Sequence, residues 1–180
     1  AASTNILING GFDVWQRGTS FSAPGYTADH WRTVYDGAGA THAITQQAFA
    51  VGQTEVPNNP TYYLRFNQSV AGSGDTYNIF LQPIEDVTKL SGKTVALSFY
   101  AKADSARNIE TQIIQNFGSG GSETVYIGQV THALTTAWRL FTRTITLPSI
   151  SGKTIGANNC TILEFYAPLN TTFTFDIANV

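Results

Sequence analysis

Apolar and polar residues alternate with period two through most of this chain, and residues that favour turns bound each alternating run. A period of two marks a half-buried β-strand, because successive strand side chains point to opposite faces. In Tyr62-Tyr63-Leu64-Arg65-Phe66-Asn67, Tyr62, Leu64 and Phe66 fall on one face, with Tyr63, Arg65 and Asn67 opposite. Val95, Leu97, Phe99 and Ala101 face inward in the next clear run, leaving Ala96, Ser98, Tyr100 and Lys102 outward. Leu163 and Phe165 oppose Glu164 and Tyr166, and Thr172-Phe173-Thr174-Phe175-Asp176-Ile177 alternates most cleanly of all. Further strands are predicted over 41–48, 108–116, 124–129 and 138–147; within 108–116, Gln112 and Ile113 compete for the inward position. Turn signals separate the runs, among them Pro57-Asn58-Asn59-Pro60, Ser91-Gly92-Lys93 and Gly118-Ser119-Gly120-Gly121. Only 85–90 hints at a helical turn.

About eight to ten short strands at this spacing predict an all-β fold, a two-sheet antiparallel β-sandwich. The jelly roll is the favoured topology, since short, even strands suit it. An immunoglobulin-like sandwich ranks second, because the chain lacks a Cys-Trp-Cys core pattern. One domain is expected over 1–180, with no internal repeat or linker. The sequence stops at Phe175-Asp176-Ile177-Ala178-Asn179-Val180 within a predicted strand, as expected of part of a longer chain.

Composition adds to this picture. Apolar residues make up 42% of the 180 and aromatics 12%, enough to supply a core, but only 12% are charged. That is about half the usual charged share, and it suits an extracellular or virion β-protein. The net charge of −2 and the absence of a basic run argue against a nucleic-acid surface. No stretch approaches the about 20 apolar residues of a membrane-spanning helix. The single Cys160 excludes an internal disulfide and reads as a buried, inert thiol.

Candidate chemistry is sparse. No Gly-x-Ser-x-Gly elbow occurs, and the three histidines, His30, His42 and His132, have no metal-ligand spacing. Gly118-Ser119-Gly120-Gly121 lacks the lysine and the strand–helix context of a phosphate loop. The sequence therefore predicts no catalytic residues and no enzyme. The outward-facing aromatics are more informative. Aromatic rings stack on the C–H faces of sugars, while carboxylates, amides and cationic side chains hydrogen-bond their hydroxyls. If Tyr63, Tyr100 and Tyr166 share the outer face of one sheet, Arg65, Lys102, Gln112 and Glu164 lie among them and form a glycan cleft. The alternative gives these tyrosines to strand propensity or to an oligomer contact. Trp15, Trp31 and Trp138 read as anchors of the core or of a subunit interface.

The opening stretch carries a resemblance. Asn5-Ile6-Leu7-Ile8-Asn9-Gly10-Gly11-Phe12-Asp13-Val14-Trp15-Gln16-Arg17-Gly18, followed by Tyr26-Thr27-Ala28-Asp29-His30-Trp31-Arg32, resembles the start of a domain found in tail fibres, head fibres and other appendages of tailed-bacteriophage virions. It is similar also to jelly-roll carbohydrate-binding modules, which open with an Asn-Gly-x-Phe-Glu pattern and close on paired aspartates. The resemblance implies a glycan partner, other virion proteins, and a homo-oligomer, a trimer by analogy with fibres, at the virion surface or outside cells. Many such modules hold a structural calcium between first and last strands. Asp13 matches one ligand position, but Ala178-Asn179 stand where the paired aspartates would be. The apolar run 5–8 is expected to be the first strand, with Asn9-Gly10-Gly11 turning the corner at positive φ. Three functions follow from these readings: a glycan-binding virion domain, a purely structural virion module, and a carbohydrate-binding module of a hydrolase.

Overall fold

The computed structural model describes residues 4–180, among which there is no helix. Twelve strands form: β1 (Ser20–Phe21), β2 (Gly25–Tyr26), β3 (Arg32–Tyr35), β4 (Thr41–Ala48), β5 (Tyr62–Val70), β6 (Asn78–Ile84), β7 (Thr94–Ala103), β8 (Arg107–Asn116), β9 (Val125–Leu134), β10 (Arg139–Thr146), β11 (Cys160–Tyr166) and β12 (Phe173–Ala178). They make two antiparallel six-stranded sheets, in the orders β1-β4-β5-β12-β7-β10 (sheet A) and β2-β3-β6-β11-β8-β9 (sheet B). From β5 to β8 and from β9 to β12 the chain changes sheet at each step, giving the jelly-roll sandwich.

The alternation read from the sequence sets the core. Leu64, Phe66, Leu97, Phe99, Phe173 and Phe175 of sheet A meet Phe80, Ile109, Ile113, Leu163 and Phe165 of sheet B. Trp31 stacks on Phe80 with ring centroids 4.8 Å apart, and Phe99 meets Phe165 edge-on at 5.1 Å. Ile113 takes the inward position in β8, so Gln112 faces out. Burying several Phe side chains here, at about 1.5–3 kcal/mol each, dominates the gain that holds the sheets together.

Three expectations need correction. The run 5–8 forms no strand. Ile6 and Ile8 are exposed and only Leu7 packs on the core. The backbone of Ile8 is instead held by the side-chain amide of Gln82, which accepts from its N–H and donates to its carbonyl, both at 2.8 Å. Of the expected Asn9-Gly10-Gly11 corner, Asn9 takes a positive φ (55°) as expected, whereas the two glycines do not and Phe12 (56°) does. Gly10 is required for a different reason, since a Cβ there would lie 2.3 Å from the Val180 carbonyl oxygen. The region 85–90 forms turns, with no helix.

Candidate functional site

The seven predicted contact residues lie on two opposite surfaces. Tyr63 and Arg65 (β5) and Tyr100 and Lys102 (β7) are on the outer face of sheet A, whereas Gln112 (β8) and Glu164 and Tyr166 (β11) are on the outer face of sheet B. The expectation that the three tyrosines share one sheet face is therefore corrected.

On sheet A the polar groups are engaged with one another. The Arg65 guanidinium donates to both Asp176 oxygens, at 2.8 and 3.0 Å. Lys102 Nζ lies 5.1 Å from the centre of the Trp138 ring. Tyr63, Phe49 and Trp138 have ring centroids within 5.3 Å of one another, and Val56, Tyr100 and Ala178 pack with them. This is a small second core, roofed by the loop between β4 and β5. A cavity of about 310 Å³ opens beside it, lined by Arg65, Lys102, Asp104 and Asp176 among others.

On sheet B the strand registers align the outward side chains into rows. One row runs Val34, Ile79, Tyr166, Glu110, Thr131. The next runs Tyr26, Arg32, Leu81, Glu164, Gln112. A third runs Pro83, Ile162, Ile114, Tyr126. With strands about 4.8 Å apart, six of them make a surface about 24 Å across. Ile79, Leu81, Gln112, Ile114 and Glu164 are at most 9% exposed although they face away from the core. They therefore form the floor of the face. Tyr126 at one edge is 65% exposed and Tyr26 at the other 46%.

The polar groups of the face form two hydrogen-bonded sets, one around Tyr166 and one around Glu110. The Tyr166 hydroxyl lies 2.8 Å from Glu164 Oε2 and 3.1 Å from Gln112 Oε1, and its one proton serves a single acceptor at a time. Thr131 and Gln129 donate to the Glu110 carboxylate. Burial raises the Glu164 carboxyl above its ordinary pKa, and the Tyr166 hydrogen bond opposes this in part. Burial, the bond to Glu164 and neighbouring negative charge all push the Tyr166 hydroxyl far above its ordinary value, so it remains a donor. Carboxylates, amides and a hydroxyl set among apolar side chains, with an accessible ring at each edge, match the polar and apolar faces of a sugar chain.

A profile of known families finds that residues 4–158 match the carbohydrate binding domain CBM_4_9. The chain belongs to this carbohydrate-binding domain family. Comparison with curated proteins gives no match. Among solved structures, the chain is similar to one described as "CBM4 structure and function", at 23% identity, 96% coverage of both chains and a TM-score of 0.57. It resembles the family 11 carbohydrate-binding module from Clostridium thermocellum, solved with a β-1,3-1,4-mixed-linked tetrasaccharide (12% identity, 89% and 92% coverage, TM-score 0.55). It resembles also part of the bacteriophage CBA120 tailspike protein 4 (14% identity, 84% of this chain and 19% of that one, TM-score 0.53). These three likenesses bear on the fold alone.

The calcium that such modules commonly carry finds little in these side chains. Asp13 is exposed, and both oxygens of Asp176 are taken by Arg65. Among the described residues no group of three or more His, Cys, Asp or Glu could hold a metal ion. Asn5 Nδ2 donates to the Val180 carbonyl and the Val180 N–H to the Gly10 carbonyl, both at 3.0 Å. The Asn9 amide ties the neighbouring loop by donating to the Val14 and Asp29 carbonyls.

Sequence reasoning missed Tyr26, Arg32 and Tyr126 as members of the face. An outward tyrosine two residues into the predicted 124–129 strand was the available signal for Tyr126.

Proposed function

We propose that this carbohydrate-binding domain holds a glycan chain across the outer face of sheet B, without catalysing a reaction on it. The observation that carries the reading is the floor of Leu81, Glu164, Gln112 and Tyr166 lying between two exposed edge tyrosines. The outward side chains continue in rows from strand to strand, which suits an extended oligosaccharide. Tyr126 and Tyr26 stack on sugar rings, while Glu110, Glu164, Gln112 and Tyr166 hydrogen-bond hydroxyls. We assign Tyr63, Arg65, Tyr100 and Lys102 to the internal packing of sheet A.

Two carriers suit such a domain. A phage virion appendage is supported by the opening stretch and by the tailspike likeness. There the domain would sit at the virion surface in a homo-oligomer, and multivalency would raise a weak single-site affinity. A polysaccharide hydrolase is supported equally, by the family itself.

The test is binding of the purified domain to a panel of oligosaccharides, with Tyr126→Ala and Tyr100→Ala in parallel. The reading predicts saturable binding that weakens about tenfold in Tyr126→Ala, about 1.4 kcal/mol of lost stacking, and stays near wild type in Tyr100→Ala. A blank panel for folded protein, or loss confined to Tyr100→Ala, contradicts it.

A further inference from the structure

The outer face of sheet B is electrically lopsided. Its β8–β11 side carries the carboxylates of Glu110 and Glu164. Its β2–β3 side carries two guanidinium groups, both over the exposed ring of Tyr26: Arg17 at 5.3 Å from the ring centre and Arg32 at 6.0 Å. Arg17 reaches Asp29 only at 4.0 Å, and its side chain is 57% exposed. Arg32 has no carboxylate within ion-pair reach among the described residues, and its Nε is buried without a hydrogen-bond partner. Arg65 and Arg107 differ, each donating through two nitrogens to one aspartate.

A guanidinium is always charged and presents its donors in a planar fork that matches an anion. The Nε itself is closed to a ligand, and an anion on the face is held by the terminal nitrogens of half-buried Arg32, which no protein acceptor fills among the described residues. Arg32 stands in the same row as Leu81 and Glu164, so an anion bound to it is in line with the rest of the floor. The carboxylates across the face repel a second anion there.

We propose that the β2–β3 end of the face is an anion subsite, which takes a sugar residue bearing a carboxylate or sulfate. The anionic group lies on Arg32 with Arg17 assisting, and the sugar ring lies against Tyr26. Neutral sugar units then extend toward Glu164 and Glu110. This rests on the glycan-binding reading above, and it adds both a substrate class and a direction: the charged unit occupies the β2–β3 end.

Matched oligosaccharides test it, namely neutral hexose tetramers, the same tetramers oxidised to the carboxylate at C6, and their 6-sulfated forms. Affinities would be measured by titration calorimetry at low and moderate salt, with Arg32→Gln and Arg17→Gln checked for native thermal unfolding. At least one anionic form is expected to bind about tenfold tighter than its neutral parent at low salt. That advantage should shrink with added salt, disappear in Arg32→Gln and diminish in Arg17→Gln. Comparing the carboxylate and sulfate arms identifies which anion is preferred. The subsite is overturned if neutral tetramers bind and neither anionic form binds tighter, or if the advantage survives in Arg32→Gln. If no tetramer of any kind binds, the glycan-binding reading itself falls.

Discussion

Glu164 is the residue at which the chemistry of the face is most constrained. It points away from the core yet is 6% exposed, and its nearest polar partner is the neutral Tyr166 hydroxyl rather than a cation. Its carboxyl is raised above the ordinary value of 4.5, so the folded state holds this proton more tightly than the unfolded state does. The stabilising contribution is therefore fully present below the unfolded value and is lost as pH rises through the folded one. Glu164→Gln removes this dependence. Denaturant unfolding at several pH values should show the variant gaining stability relative to wild type from about pH 4.5 upward. A difference that shrinks or reverses as pH rises would contradict this account of Glu164. The outward position of Glu164 was legible from alternation with Leu163 and Phe165. Its burial was not, because that depends on the strands brought beside it, β6 and β8.

At the scale of the element, alternation gives the phase of a strand but not the sheet that the strand joins. β5, β7 and β11 read alike in sequence, and Tyr63, Tyr100 and Tyr166 are all outward as expected. Only the pairing partners reveal that β5 and β7 flank β12 in one sheet, while β11 lies between β6 and β8 in the other. β6 escaped notice for a different reason. From Asn78 to Gln82 it is buried on both faces, so it shows no alternation, and Pro83 interrupts its donors. The stretch 5–8 has strand-like composition, but its backbone is satisfied by the Gln82 side chain in place of a neighbouring strand. The loop between β4 and β5 roofs sheet A through Phe49, Val56 and the Trp138 that precedes β10. Trp138→Ala should cost about 3 kcal/mol in denaturant unfolding, as a large core truncation does. The same variant should keep glycan affinity within about twofold of wild type. Loss of affinity in a folded Trp138→Ala protein would assign function to sheet A.

At the scale of the whole molecule, the sandwich separates its tasks between its two outer faces. Sheet A closes over a second aromatic cluster, with its arginine, lysine and aspartates tied to one another or to rings. Sheet B presents an outer surface about 24 Å across with an exposed tyrosine at each edge. A cavity of about 740 Å³ lies apart from the sheet B floor. It lies beside the Thr94 to Ser98 part of β7, where the pairing with β12 has already ended at Tyr100. Leu97, Ile113 and Leu163 of the core line it together with Asn5, Asn58 and Ser98. Fold class, strand phase and the idea of a glycan face were thus readable from one sequence. Which residues share that face required the register of six strands.

The central claim is that sheet B is the face that binds. Backbone amide chemical-shift mapping during titration with the best ligand of the oligosaccharide panel tests it most directly. The account predicts shifts concentrated at Arg32, Leu81, Gln112, Tyr126, Glu164 and Tyr166, with Tyr63, Arg65, Tyr100 and Lys102 unmoved. Shifts centred on those last four residues, with sheet B silent, would contradict it.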